Sequence, residues 1–135
     1  MILYAERFIK ELSNLMKLSN LNKTWLFDVD GTIVIHNGYK NGKDILLDGV
    51  VETFNKIDKN DKIILLTSRE EKYIPELEKF LKENNIRYDY IISNLPYGER
   101  ILINDIKPSG LNCAVAINKK RDEKLEINYE IKKDM

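Results

Sequence analysis

The chain has 135 residues, of which 43% are apolar and 33% charged, which suits one soluble domain with its own core. Lys and Arg number 22, as do Asp and Glu, so no net field favours nucleic acid or an anionic membrane. The chain shows neither a signal-peptide pattern nor an apolar stretch of bilayer length, so we expect a cytoplasmic protein with no membrane partner.

The first predicted element is an amphipathic helix within residues 1–22, because Phe8, Leu12, Leu15 and Met16 recur at helical spacing. Packing on the domain is its simplest role, and a protein interface is the alternative. Residues 24–118 form the predicted core, which begins with an apolar strand at residues 25–27. Residues 33–42 combine a strand-like run with a glycine- and asparagine-rich turn and predict a small flap.

Helices and strands then alternate along the chain. Helical spacing predicts helices in residues 48–57 and 70–84, the second with Pro75 in its first turn. The apolar run at residues 63–66 suits a strand covered on both faces, and short strands are predicted at residues 90–92, 101–103 and 114–117. The tail, residues 122–135, alternates apolar and polar positions and predicts a last strand. This order indicates a single α/β domain over residues 1–135, a Rossmann-like three-layer sandwich with a mostly parallel sheet.

Polar residues follow the first core strand, in the motif Asp28-Val29-Asp30-Gly31-Thr32. Residues two apart on an extended chain point to the same side, so Asp28 and Asp30 can converge on one ligand. Two close carboxylates suit Mg²⁺, and Gly31 permits a turn that residues with a Cβ resist. The simpler alternative is an aspartate-rich turn after a buried strand.

Two later strands are followed by polar residues as well. The run at residues 63–66 leads into Thr67-Ser68-Arg69, and residues 101–103 lead into Asn104-Asp105. A threonine hydroxyl and the N–H groups at a helix start can bind phosphate, although Thr67 or Ser68 could instead cap the helix. The guanidinium fork of Arg69 also matches phosphate. In an open parallel sheet, such residues gather at the carboxyl ends of the strands.

These three motifs, in this order, resemble the haloacid dehalogenase-like phosphohydrolase superfamily. The resemblance implies that Asp28 attacks phosphorus, that Asp30 acts as general acid and then base, and that Thr67 contacts phosphate. It implies Mg²⁺ held by Asp28, by the backbone carbonyl of Asp30 and by Asp105, with phosphate contacts from Gly31, Thr32, Ser68 and Arg69. Many relatives carry a second acid after the metal-binding one, but this chain has a hydroxyl, Ser109.

The family's third motif, a lysine that precedes the metal-binding acid, has no match here. No lysine lies between Lys82 and Lys107, so Lys107, two residues past Asp105, is the predicted substitute as a catalytic cation, and a solvated loop lysine is the alternative. The spacing between motifs leaves no room for a cap domain. Capless relatives have open clefts and can use a neighbouring subunit as a lid. The resemblance is therefore compatible with a homo-oligomer.

Residues 95–109 also resemble small phosphatase-like proteins of capsule or lipopolysaccharide sugar synthesis, with Leu95 where those proteins have a lysine. The predicted function is a Mg²⁺-dependent phosphomonoester hydrolase with an aspartyl-phosphate intermediate and a small phosphorylated substrate such as a sugar phosphate. One alternative is a catalytically weak or inactive phosphate- or metal-binding regulatory module. Another is a phosphatase of a macromolecular substrate, with the balanced charge arguing against nucleic acid.

Overall fold

The computed structural model describes residues 15–135 and shows a mixed α/β protein whose strands pair in parallel. The described residues divide into two compact units. One unit contains residues 15–21 with Ile127–Met135, and the other contains Asn22–Glu126. No helix in the described part of the chain has the length and apolar character needed to cross a membrane.

The smaller unit is a pair of parallel strands, β1 (Met16–Ser19) and β5 (Tyr129–Lys132). β5 confirms a strand in the tail. β1 corrects the helix predicted over residues 1–22, because Met16 lies opposite Tyr129 in a ladder and not on a helical face. Backbone pairing with the tail overrides the helical spacing of its apolar residues. Residues 1–14 of that predicted helix lie outside the described residues.

The larger unit contains a three-stranded parallel sheet in the order β2-β3-β4. The strands are β2 (Thr24–Asp28), β3 (Lys62–Leu66) and β4 (Tyr90–Ile92). Helix α1 (Val50–Asn55) lies between β2 and β3, and α2 (Ile74–Glu83) lies between β3 and β4. Two short 3-10 turns occupy Gly38–Asn41 and Glu71–Tyr73. The strands predicted at residues 25–27, 63–66 and 90–92 and both helices are confirmed, with Pro75 in the first turn of α2.

One face of this sheet carries the core. Ile63 and Leu65 of β3 are fully buried, as are Leu77 and Leu81 of α2. Phe27 of β2 meets Phe54 of α1, with ring centroids 4.6 Å apart. This packing uses the alternating side chains of each strand and one stripe of each helix, so it fixes where the strand ends lie.

The opposite face is only partly covered, since Ile64 of β3 is half-buried there and its neighbours on β2 and β4 are exposed, whereas the sequence predicted that β3 is covered on both faces. Leu26 is 51% exposed and Tyr90 is 62% exposed, and the strand register brings both to this face through Ile64. The structure describes residues 101–103 and 114–117 and forms a strand in neither, although the sequence predicted one in each. Among the described residues neither segment has a partner in a sheet, which a strand needs, and Ile103 is 88% exposed.

The flap, residues 33–42, differs from the predicted strand and turn. Val34 forms isolated bridges with Asp30 and with Leu46, and a 3-10 turn follows at Gly38–Asn41. Ile33 and Val34 are fully buried, so burial in the core and not a strand ladder explains their apolar character. The flap therefore begins as part of the core directly after the first motif.

Candidate functional site

The first motif forms a tight turn at the carboxyl end of β2. The Val29 N–H continues the ladder by donating to the Leu66 carbonyl, and the Val29 carbonyl accepts from the N–H groups of Thr32 and Ile33. Gly31 has φ +88°, a conformation that residues with a Cβ resist. This turn keeps Asp28 and Asp30 at the rim of the sheet, as the sequence predicted.

Asp28 is half-buried at this rim. Its Oδ2 accepts a hydrogen bond from the Thr32 hydroxyl at 3.2 Å, and its Oδ1 lies 3.7 Å from a terminal nitrogen of Arg100. Burial raises the pKa of Asp28 above its ordinary value, and Thr32 and Arg100 offset only part of this effect. A carboxylate with a raised pKa is more basic and hence a better nucleophile when it is ionised.

Asp30 is held by the second motif. The Thr67 hydroxyl donates to Asp30 Oδ2 at 3.0 Å and accepts from the backbone N–H of Arg69 at 3.1 Å. Arg69 donates from its Nε and from one terminal nitrogen to Asp30 Oδ1, at 3.2 and 2.9 Å. Thr67 is fully buried, so its hydroxyl proton serves Asp30 and is not directed at a substrate phosphate.

Arg69 is held from two further sides. Its terminal nitrogens donate to both oxygens of Asp44, at 3.0 and 2.6 Å, and the Tyr39 ring covers its guanidinium at 4.0 Å. Burial alone would lower the pKa of Arg69, but hydrogen bonds to Asp44 and Asp30 outweigh it and raise that pKa. Arg69, which the sequence predicted to contact phosphate, is 2% exposed, and its guanidinium forms hydrogen bonds within the protein.

A cavity of about 210 Å³ lies over these carboxylates. It is lined by Asp28, Asp30 and Ser68, and by Lys40, Arg100 and Arg121. Counting Arg69 and its partner Asp44, the Lys, Arg and Asp side chains described around it comprise four cations and three carboxylates. One positive charge is therefore in excess at this site, although the whole chain has none.

A segment far along the chain completes the site, and we call residues 119–126 the closing segment. The Gly31 carbonyl accepts from Lys119 Nζ at 3.1 Å and from the Asp122 N–H at 2.9 Å. Asp122 Oδ1 in turn accepts from the His36 N–H of the flap at 2.8 Å. A Cβ on Gly31 would lie 3.1 Å from Arg121 Cγ, so the glycine also makes room for Arg121.

Comparison with known families, curated proteins and solved structures gives no match at any of the three levels. The function therefore rests on the residues of this site.

Asp105 and Lys107 are not brought to the cavity. Both are exposed, and neither is among the described residues that line it. Gly31, Thr32 and Thr67 also lie outside the lining, but Thr32 and Thr67 contact Asp28 and Asp30. Lys107 takes part in a small loop, where its N–H donates to the Leu111 carbonyl. The described cations that line the cavity are Lys40, Arg69, Arg100 and Arg121, of which only Arg69 was a predicted site residue.

The structure brings only part of the predicted Mg²⁺ ligand set to the cavity. Among residues 15–135, no group of three His, Cys, Asp or Glu side chains could hold a metal ion. Asp28 lines the cavity and Asp105 does not, while the side-chain oxygens of Asp30 accept from Thr67 and Arg69 and its predicted ligand atom is the backbone carbonyl. Mg²⁺ can be bound through one or two carboxylates together with waters and a substrate phosphate, so its binding stays a prediction, and no chemical step below depends on a metal.

Sequence reasoning missed Asp44 and Tyr39, which hold Arg69, and did not connect Arg121 with the site. Tyr39 lies within the predicted flap, so its proximity could have been expected, but its stacking on Arg69 could not. Asp44 follows the flap without any motif. Arg121 lies 90 positions after Gly31, and no spacing rule connects the two.

Proposed function

We propose that the protein is a phosphomonoester hydrolase of the haloacid dehalogenase-like type, with a Rossmann-like core and an aspartyl-phosphate intermediate. The observation that carries this proposal is the pairing of Asp28, half-buried and more basic than usual, with Asp30, held by Thr67 and Arg69. Both stand at one cavity with an excess positive charge. A phosphomonoester carries about −1.5 to −2 charge near pH 7, so this cavity suits it.

The chemistry assigned to the two aspartates follows from their surroundings. Asp28 attacks phosphorus, and the bond from phosphorus to the leaving oxygen breaks as Asp30 transfers a proton to that oxygen. Water then attacks the aspartyl-phosphate, Asp30 takes its proton, and phosphate leaves as Asp28 is restored. Asp30 suits the second step because Thr67 and Arg69 fix its orientation.

Arg100 and Arg121 are better placed than Lys107 to balance the phosphoryl charge. Arg100 lies 3.7 Å from Asp28, and Arg121 lines the same cavity beside Gly31. Cations aimed at the transferring group stabilise the charge that develops there. Mg²⁺ remains part of the proposal on the sequence resemblance alone, with a small phosphorylated metabolite as substrate.

The test is phosphate release from a panel of phosphomonoesters, with and without Mg²⁺, by wild type and Asp28→Asn. We expect the variant to lose about 10³-fold or more in kcat, because the nucleophile is gone. The exposed Asp134→Asn serves as a matched control with wild-type rates. An Asp28→Asn protein that turns over at the wild-type rate would exclude the mechanism.

The charge-balancing residue is tested by comparing Arg121→Gln with Lys107→Gln. We expect Arg121→Gln to lower kcat/KM by about 10²-fold, because a donor at the transferring group is lost. Lys107→Gln should leave kcat/KM within about twofold, as expected of an exposed side chain away from the cavity. The reverse order would return the role to Lys107.

A phosphate-binding module without turnover is the second candidate function. It is favoured by the internal engagement of Thr67 and Arg69, which leaves fewer donors for a reacting phosphoryl group. Calorimetry with inorganic phosphate distinguishes the two. Binding of phosphate by a protein that releases none from the whole panel would favour the module.

A further inference from the structure

We propose that Arg69 is a positioning residue for Asp30, and that Asp44 and Tyr39 hold Arg69 in that role. This inference rests on the proposed function, because its effect on rate requires a hydrolytic reaction. It departs from the predicted role of Arg69 as a phosphate ligand. The proposal is supported by the contacts of the Arg69 guanidinium with two carboxylates, Asp30 and Asp44, and with the aromatic ring of Tyr39.

Most donors of Arg69 are engaged by carboxylates. Its Nε and one terminal nitrogen reach Asp30 Oδ1 at 3.2 and 2.9 Å, and its terminal nitrogens reach Asp44 at 3.0 and 2.6 Å. The Arg69 side chain is 1% exposed, whereas that of Asp30 is 15% exposed, although both residues line the cavity. The carboxylate is therefore the more accessible of the two groups, and a phosphate would compete with Asp30 and Asp44 for most of the arginine's N–H groups.

Asp44 gives the guanidinium a second fixed edge. Its side chain is 5% exposed, and both of its oxygens accept from Arg69. A planar fork held by two carboxylates along different edges cannot rotate without breaking hydrogen bonds. The orientation of Asp30 is therefore set through Arg69 by a residue that does not line the cavity.

Tyr39 closes the remaining side. Its ring lies 4.0 Å from the guanidinium carbon and packs edge-on against Tyr73, with ring centroids 4.9 Å apart. A cation over an aromatic face is attracted to it, and the ring also keeps water from the hydrogen bonds. Because Tyr39 belongs to the flap, the flap and Asp30 are joined through one buried arginine.

This arrangement predicts an effect on one step of the reaction. p-Nitrophenolate leaves readily without a proton, so attack by Asp28 on p-nitrophenyl phosphate does not need Asp30. Hydrolysis of the aspartyl-phosphate does need it, because Asp30 takes the proton of the attacking water. A misplaced Asp30 should therefore slow the second step and spare the first.

The experiment uses rapid mixing of the whole protein with p-nitrophenyl phosphate, comparing wild type with Asp44→Asn and Arg69→Lys. We expect both variants to lower steady-state kcat about 10–100-fold, because a misplacement near 1 Å has that effect. They should also release a burst of p-nitrophenol that matches the enzyme concentration. KM should not rise, since Arg69 does not bind the phosphate. Asp48→Asn, an exposed carboxylate on the same connection, is the matched control.

A rise in KM with kcat retained would overturn the proposal and make Arg69 a phosphate ligand. Wild-type kinetics in both folded variants would overturn it as well. Tyr39→Leu provides a third variant that leaves all the charges in place, should either of the others fail to fold. It should give the same burst with a smaller loss of kcat, and unchanged kinetics in it would count against the proposal.

A readout without turnover separates this inference from the proposed function. The Arg69 Nε–H signal in ¹⁵N NMR, identified by its loss in Arg69→Lys, should exchange slowly and should move in Asp30→Asn. It should not respond to inorganic phosphate as a direct ligand would. A wild type that releases no phosphate would defeat the proposed function, whereas a signal indifferent to Asp30→Asn would defeat the arginine's role.

Discussion

At the scale of single residues, Asp28 shows how a half-buried carboxylate lowers stability. Burial raises its pKa above 3.8, so the folded protein binds this proton more tightly than the unfolded chain does. The free energy of unfolding contributed by Asp28 therefore rises as pH falls through the folded pKa towards 3.8. At neutral pH the ionised side chain opposes folding.

We accordingly expect Asp28→Asn to unfold at a higher urea concentration than wild type at pH 7. The difference should shrink as the pH is lowered, because wild type then gains the proton that relieves its penalty. Urea titrations at pH 7 and at about pH 4.5 measure this difference. A variant less stable than wild type at pH 7 would contradict the assignment of burial as the dominant cause.

Asp61 behaves in the opposite way. It is 4% exposed, and its carboxylate accepts from the Asn22 amide, the Lys23 N–H and the Trp25 indole, each at 2.9 Å. Burial alone would raise the pKa of Asp61, but these hydrogen bonds outweigh it and lower that pKa. Its stabilisation is therefore present above the unfolded pKa and lost as pH falls through the folded one.

Asp61→Ala should therefore lower the free energy of unfolding by about 1–3 kcal/mol, because buried donors lose their acceptor. The loss should be largest near neutral pH and should fade on acidification. Urea unfolding followed by the fluorescence of Trp25 measures it, with the exposed Asp134→Ala as the control. Equal midpoints for the two variants would show that the Asp61 hydrogen bonds are worth little.

At the scale of elements, helix α2 is held by one apolar stripe. Leu77 and Leu81 are fully buried, one helical turn apart, while Lys79 between them is exposed. Leu77→Ala should lower the free energy of unfolding by about 2–5 kcal/mol, because it leaves a cavity in the core. Lys79→Ala should change it by less than about 0.5 kcal/mol. Thermal or urea unfolding of the two variants provides the comparison.

The sequence predicted those elements whose pattern and packing agree. β2, β3 and both helices have an apolar pattern matched by a buried face, so local and tertiary preferences coincide, whereas β4 is largely exposed and is defined by its pairing with β3. Residues 16–19 have a helical pattern but pair with the tail, and residues 101–103 have a strand pattern but no partner. Both errors have one cause. A sequence pattern shows that a segment is apolar but does not show which other segment it packs against or pairs with.

At the scale of the whole molecule, the closing segment connects distant parts of the larger unit. The Leu125 N–H donates to the Asp48 carbonyl at 2.9 Å, and the Thr53 hydroxyl of α1 donates to the Leu125 carbonyl at 3.4 Å. Gly49, at the start of α1, has φ +83°, and a Cβ there would collide with the Leu125 carbonyl. The closing segment can approach α1 only because this residue is a glycine.

Gly49→Ala should therefore destabilise the protein by about 2 kcal/mol or more, since it combines backbone strain with a collision. Gly98→Ala is a matched control, because a Cβ at Gly98 meets nothing within 4 Å. Thermal unfolding of both variants measures the effect. A Gly49→Ala protein as stable as Gly98→Ala would show that the closing segment does not need its close approach.

The same connection explains how much of the candidate site could be predicted. Asp28, Asp30 and Thr67 could be grouped because the carboxyl ends of neighbouring parallel strands meet at one edge of a sheet. The roles of Asp44 and Arg121 could not be predicted, because they depend on how loops return to that edge. Lys107 was predicted as the catalytic cation because it follows Asp105 closely in the sequence. Neither residue lines the cavity, so closeness in sequence to Asp105 did not place Lys107 at the site.

The double hydrogen bond at the Gly31 carbonyl also affects the order of events during synthesis. Its donors come from Lys119 and Asp122, residues that leave the ribosome long after the first motif does. A nascent chain ending before them can form the ladder of β2 and β3 but not the finished turn around Gly31. The two carboxylates of the candidate site therefore reach their final arrangement late, once most of the core that supports them has been synthesised.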